Sequence, residues 1–196
     1  MAKPLASPRR RLGRQDWAAE ALAALSRGGI AAVAVEPIAQ RLGTTKGSFY
    51  YHFTNRDDLI EAALQLWERE QTLEVNAYVE AASEDPRERL NELVTRAIRM
   101  AEADPVVLRL LAAADHPLVA PVLERVTAAR LGYLASLYRQ VGQLPAAARR
   151  RALLTYSAYL GHIQLTHSTP QVLPRTHAAR HAYHDLVVAA MLSVGD

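Results

Sequence analysis

What most narrows the folds open to this chain lies at residues 35–56, VEPIAQRLGTTKGSFYYHFTNR, where two short helical periods are separated by a glycine and two threonines. Val35, Ile38, Ala39 and Leu42 fall at i, i+3, i+4 and i+7, so a helix over residues 35–42 gathers them on one face. Pro37 falls in its first turn, where backbone N–H groups have no partner inside the helix and a fixed φ is tolerated. Gly43 supplies the left-handed backbone that stops this helix, and Thr44 and Thr45 offer hydroxyls to the free N–H groups of the next. Helix, glycine-bearing turn and helix together make a helix-turn-helix.

The second of these helices, expected over residues 46–53, divides its circumference unusually. Phe49 and Phe53 are four apart and face inward, which leaves Lys46, Gly47, Ser48, Tyr50, Tyr51 and His52 for the rest. Lys46 can pair with a phosphate. Ser48 and the tyrosine hydroxyls can donate to a phosphate or a base edge, and the tyrosine rings can touch a thymine methyl. Gly47 lets the backbone approach a nucleic acid closely, and the helix N-terminus favours an anion there. Arg56 opens the following helix and adds a cation beside the same surface. Aromatics at helical spacing are commonly core, but with two phenylalanines already inward, three further consecutive aromatics cannot all follow them.

The run TTKGSFYYHFTNRDDLIEAAL resembles the TetR family of bacterial one-component transcriptional regulators, through a Lys-Gly-x-x-Tyr-x-x-Phe pattern, over residues 17–67. That resemblance implies DNA contact, mostly to phosphates, at Thr44, Thr45, Lys46, Gly47, Tyr50, Tyr51, His52 and Arg56, with Ser48 as a base reader. Ala34 departs from the pattern, since the family often has Ser or Thr there as the cap of the helix at 35–42. By the usual magnitude such a cap contributes about 1 kcal/mol.

Charge is distributed in keeping with this. Residues 1–55 hold eight Lys or Arg against three acids, a net of +5, whereas the whole chain carries +3 and the remainder therefore −2. A concentrated basic excess is an electrostatic footprint for DNA. Part of it lies in Pro8-Arg9-Arg10-Arg11, an arm that either reaches a phosphate or minor groove or simply stays solvated.

Elsewhere the pattern is helical. Half of the 196 residues are apolar, with abundant Ala and Leu and no strand-like alternation, which predicts an all-α protein of about nine helices. Helices are expected at 14–27, with Trp17, Ala18, Ala21, Leu22 and Leu25 inward, and at 56–82, a long lever with Leu59, Ile60, Ala63, Leu64 and Trp67 inward. Asp85-Pro86 and Asp104-Pro105 each pair a cap with a proline at the first helical position and open two more. Three longer helices follow at 118–140, 146–167 and 175–193. Residues 1–55 are then expected to form a helix-turn-helix DNA-binding domain with a basic arm, and 56–196 a helical effector-binding and dimerisation domain.

The helix at 146–167 is apolar over much of its circumference (Leu153, Leu154, Tyr156, Ala158, Tyr159, Leu160, Ile163, Leu165), and such a helix must be covered on more than one side. Gly161 allows a close crossing. The family resemblance implies a homodimer built on the last two helices, a pseudo-palindromic DNA operator with half-sites one helical turn or a multiple apart, and a cavity for a small-molecule effector. Candidate cavity residues are Trp67, Met100, Arg130, Tyr133, Tyr156, Tyr159 and His162.

His177, His181 and His184, at i, i+4 and i+7 with Asp185 beside them, have a spacing that could hold a metal or serve as a polar strip on a dimer surface. No closed metal motif, phosphate loop or nucleophile elbow accompanies them, so neither a metal nor another cofactor nor an enzyme is expected. The sequence has no cysteine, which excludes disulfides and thiolate metal sites. Neither a signal segment nor a run of 18 apolar residues occurs, so the expected setting is the cytoplasm, away from the membrane. The expected function is a ligand-released repressor. An architectural DNA binder without an effector, its pocket filled by its own side chains, is the alternative, and a metal-dependent helical-bundle enzyme a more distant one.

Overall fold

The computed structural model describes residues 12–192, all of whose regular structure is helical. Ten α-helical segments follow in order: α1 (Arg14–Gly28), α2 (Val35–Arg41), α3 (Lys46–Phe49), α4 (Arg56–Glu68), α5 (Glu74–Ala82), α6 (Pro86–Ala103), α7 (Val106–Leu111), α8 (Ala120–Gln140), α9 (Pro145–Ser168) and α10 (His177–Leu192). Single 3-10 turns at Ile30–Ala32 and Pro170–Val172 lie between α1 and α2 and between α9 and α10. The basic arm at Pro8-Arg9-Arg10-Arg11 falls outside the described residues.

The expected lever at 56–82 is α4 and α5 joined by a π-helical turn, Arg69–Leu73, in which the Glu74 N–H reaches the Arg69 carbonyl five residues back. Counted as one rod, the pair leaves nine rods among the described residues. One extra residue in a helix rotates everything beyond it, so the face of α5 that meets the core is offset from that of α4. Such bulges are held by tertiary contacts and are frequent at functional sites.

Local chemistry explains the helix ends. Asn55 Oδ1 accepts from the Asp58 N–H at 2.9 Å and opens α4, while Asp58 Oδ2 accepts from the Thr54 N–H at 2.9 Å. Hydrogen bonding from Thr54 to the ionised carboxylate is the largest of the effects that hold Asp58 below its ordinary pKa. Asp85 Oδ1 accepts from the Arg87 N–H and Asp104 Oδ1 from the Val106 N–H, each at 2.8 Å, one at each expected Asp-Pro start.

Two apolar clusters organise the molecule. The first joins α1 to α4 through Trp17, Ala21, Leu25, Phe49, Leu59 and Leu64, and continues into α7, α8 and Ile163 of α9. The second, around Val79, Leu90, Leu137, Tyr138 and Ala152, binds α5, α6, α8 and α9. Polar ties reinforce both: Ser26 Oγ donates to Asp104 Oδ1 at 2.5 Å, linking α1 to the α6–α7 junction. Arg125 forks onto Glu68 at 2.8 and 3.2 Å, fastening α8 to the end of α4. No helix of the described residues is long and apolar enough to cross a membrane.

Ala34 occupies the N-cap of α2 in extended backbone, φ −122° and ψ 135°, and gives no side-chain cap. Ala34→Ser is therefore expected to raise stability by about 1 kcal/mol, read as a higher urea midpoint at unchanged slope. A neutral or negative effect would show that solvent already satisfies these N–H groups.

Candidate nucleic-acid interface and cavity

Between α2 and α3 the chain turns through Gly43 at φ +65°, the left-handed region that favours glycine. The Gly43 N–H bonds the Gln40 carbonyl at 3.1 Å and the Thr44 N–H bonds the Ala39 carbonyl at 2.9 Å, closing the end of α2. Thr45 then caps α3, its Oγ1 accepting from the Ser48 N–H at 3.3 Å. The α-helix ends at Phe49 instead of Phe53. Beyond it the chain makes a tight turn in which the His52 and Phe53 N–H groups both reach the Phe49 carbonyl.

Phe49 and Phe53 take the inward positions, 1% and 3% exposed, with their rings stacked at 5.4 Å and Trp17 meeting Phe49 edge-on at 5.4 Å. With those places filled, the aromatics between them turn outward, Tyr50 59% and Tyr51 88% exposed. Exposed Thr45, Lys46 and Gly47 share this end of the molecule with half-buried Thr44, Ser48 and His52. A methyl at Gly47 would meet nothing nearer than Thr45 Oγ1 at 3.6 Å, an ordinary contact. The fold therefore does not demand glycine there.

Lys46 Nζ pairs with Glu36 Oε1 at 2.9 Å, both side chains well exposed. Their hydrogen bond, with charge attraction second, raises the Lys46 pKa and lowers that of Glu36. An exposed pair of this kind is weak and screened by salt, so an arriving phosphate can take Lys46 from Glu36.

Arg56 does not join this surface as the sequence suggests. Its Nε donates to the Val33 carbonyl at 2.6 Å and its Nη2 to the Ile30 carbonyl at 2.5 Å, so the guanidinium braces the 3-10 turn ahead of α2. Arg14, which the sequence did not single out for this role, lies over the Phe53 ring at 4.2 Å and donates to the His52 carbonyl at 2.5 Å, fixing the end of the reading turn. Neither role is marked by periodicity, because both depend on where a distant carbonyl ends up.

A cavity of about 60 Å³ lies among α5, α6, α8, α9 and the π-turn. By that measure it holds a few waters. Met100, Arg130, Tyr133, Tyr156 and Tyr159 line it, together with Gln71, Thr72 and Asn76, which carry no sequence signal. Two of the expected lining residues do not. Trp67 is core, 1% exposed, with the Arg130 guanidinium 5.5 Å from its ring. His162 faces a separate groove, where its Nε2 meets Glu102 Oε1 at 3.0 Å and its ring stacks on Tyr183 at 5.9 Å. Trp67 packs into the first apolar cluster and His162 faces α6 and α10, placements set by long-range packing that helical spacing does not show. Burial raises the pKa of Tyr159, and burial with the Glu80 carboxylate beside it raises that of Tyr133, so both phenols stay neutral.

On α9, Ala148, Ala152, Thr155, His162 and Ile163 are buried, while Leu153 and Leu154 on the opposite side are 54% and 60% exposed. Leu186 of α10 is 66% exposed, and nothing lies within 4 Å of a methyl placed at Gly161. His181 Nδ1 and Asp185 Oδ2 are 2.9 Å apart. The side chains of His177 and His184 lie outside the described residues.

Residues 19–63 match the family model described as bacterial regulatory proteins, tetR family. No curated protein matches the chain by sequence. In fold the chain is similar to a transcriptional regulator from Rhodococcus sp. Rha1, at TM-score 0.73 and 20% identity over 92% of this chain and 96% of that one. It is similar also to a TetR-family transcriptional regulator from Bordetella parapertussis (0.60, 17%, covering 91% and 93%). A third likeness is to the fatty acid degradation regulator FadR from Bacillus halodurans (0.67, 15%, covering 96% and 97%).

Proposed function

We propose, from the premise that this chain belongs to the TetR family of bacterial transcriptional regulators, that it is a cytoplasmic homodimeric repressor released from a pseudo-palindromic operator by a small molecule. The observation that carries the reading is the division of labour around α3: Phe49 and Phe53 fill the core while Lys46, Gly47, Tyr50 and Tyr51 are presented outward. Residues 1–55 act as the reading head and 56–196 as the sensing and dimerising part. Thr44, Thr45, Lys46 and the Gly47 backbone suit phosphate oxygens, while Ser48, Tyr50, Tyr51 and His52 suit phosphates or base edges. The exposed stripe of α9 and α10, with open space at Gly161, suits a two-fold helix crossing that sets two heads at half-site spacing.

Release requires an effector that binds the DNA-incompetent arrangement more tightly than the competent one. The cavity touches the α4–α5 rod, whose far end carries the reading head, so filling it can bias the head's position. A cavity that the protein's own side chains leave at this place supports an effector-responsive regulator over an architectural binder.

Fluorescence anisotropy on the DNA flanking the chain's own gene, across a salt series, tests this. Wild type is expected to bind with an affinity that falls steeply with salt, and the Lys46→Ala, Tyr51→Ala double variant at least about tenfold more weakly, the equivalent of one good contact. Equal, weak binding by both proteins would overturn the repressor reading.

A further inference from the structure

Arg130 is the one formal charge among the residues that line the cavity. No ion pair among the described residues includes it. Instead its Nε donates to Thr72 Oγ1 at 3.1 Å and its Nη2 to the Gln71 carbonyl at 3.0 Å, while the guanidinium lies 5.5 Å from the Trp67 ring centroid and 6.0 Å from that of Tyr159. Thr72 is 1% exposed, and both acceptors belong to the π-turn between α4 and α5. A half-buried arginine satisfied only by neutral acceptors is a poor end state, since a carboxylate or phosphate matches its planar fork far better. The rest of the wall is apolar or neutral, with Leu93, Val94, Ile98 and Met100 opposite the tyrosines.

From this arrangement we infer that the effector is an anionic amphiphile, whose acid group pairs with Arg130 and whose apolar body lies against α6. We infer also that pairing draws the guanidinium away from Gln71 and Thr72 and so loosens the π-turn. This rests on the effector-responsive reading given above and specifies its chemistry. The turn is the coupling element because it is where the α4–α5 rod departs from regular α-helix, and Arg130 is its polar brace from α8. Losing the brace frees the turn to re-register toward regular α-helix, which rotates α4, and with it the reading head, relative to α5. A cavity that holds only a few waters must widen to admit such a molecule, which adds to the same displacement.

Calorimetric titration of the full chain decides it, using straight-chain acids from butanoate to dodecanoate, benzoate and 2-naphthoate, each compared with the alcohol and the amine of the same skeleton. At least one acid is expected to bind wild type tenfold or more tighter than its alcohol, with the amine weaker still. Arg130→Met is expected to weaken that acid at least tenfold and to bring acid and alcohol within threefold, while Arg130→Lys keeps the preference. Binding of alcohol and acid alike, a preference that survives in Arg130→Met, or no binding by any acid would each overturn the assignment. Should Arg130→Met not fold, as read by circular dichroism, the acid, alcohol and amine comparison on wild type remains decisive. Amide hydrogen exchange across residues 69–74 reads the coupling: faster exchange in the acid complex is expected, and unchanged or slower exchange overturns it. None of these measurements contains DNA, so their failure is separable from failure of the repressor reading.

Discussion

Phe49→Ala is expected to abolish specific DNA binding and to destabilise the chain by about 3–5 kcal/mol, the usual cost of deleting a buried aromatic ring. The physical reason is the brevity of α3. Four residues make barely one turn, too short to persist on backbone propensity, because the first turn of a helix is its costly nucleus. What holds it is Phe49, which meets Trp17 of α1 edge-on, stacks on Phe53 and touches Tyr50 at 5.2 Å. Removing the ring leaves a cavity beneath the surface that must present Lys46, Tyr50 and Tyr51 in register. Urea unfolding followed by tryptophan fluorescence measures the cost, with Trp17 reporting beside the site. Phe49→Leu, which keeps most of the bulk, is expected to cost less and to retain part of the binding. A loss below about 1 kcal/mol for Phe49→Ala, typical of surface changes, would mean that the reading turn is held by something else.

Legibility in the sequence follows the range of the forces involved. The helix-turn-helix was readable except for the end of its second helix, which stops at Phe49, because it depends on local chemistry: a glycine at positive φ, a threonine cap and an i, i+4 pair of phenylalanines. The starts of α4 and α6, and the turn into α7, were readable for the same reason, since Asn55, Asp85 and Asp104 act on N–H groups two or three residues away. The π-turn was not readable. Residues 69–73, REQTL, carry no glycine or proline, and their extra residue is accommodated by Arg130 from a helix almost sixty positions later. Trp67 and His162 do not line the cavity, because Trp67 packs into the first cluster and His162 turns to Glu102 and Tyr183, partners more than twenty positions away in the chain.

A common device emerges at two points of the α4–α5 rod. At its start, Arg56 donates to carbonyls of the turn ahead of α2, and at its π-turn, Arg130 donates to a carbonyl and a hydroxyl. In each case a guanidinium satisfies groups in an irregular stretch of backbone that regular structure would otherwise pair. Irregular backbone held by a side chain is easier to re-arrange than a helix, since one partner exchange releases it. The rod is thus adjustable at its start and at its π-turn and regular between them, which suits a lever between a cavity and a reading head.

Arg56→Ala is expected to lower stability by about 2 kcal/mol, from charge-assisted hydrogen bonds lost and two carbonyls left to find other partners, and to weaken DNA binding at least about tenfold. Ile30 and Val33 lie in the segment that aims α2 and α3 relative to α1, so their release should blur the position of the whole reading turn. The salt dependence tells this apart from direct contact. A residue that pairs with a phosphate, when removed, flattens the plot of log affinity against log salt by about 0.9. A residue that only positions the reading turn lowers affinity while leaving that slope nearly unchanged, because the other cations still meet their phosphates once bound. Arg56→Ala is therefore expected to shift the line down in parallel, whereas Lys46→Ala, which removes an exposed cation, should change its slope. A flattened slope for Arg56→Ala would show that the guanidinium leaves Ile30 and Val33 on binding and pairs with the backbone of the DNA, turning the brace into a contact that forms only on the operator.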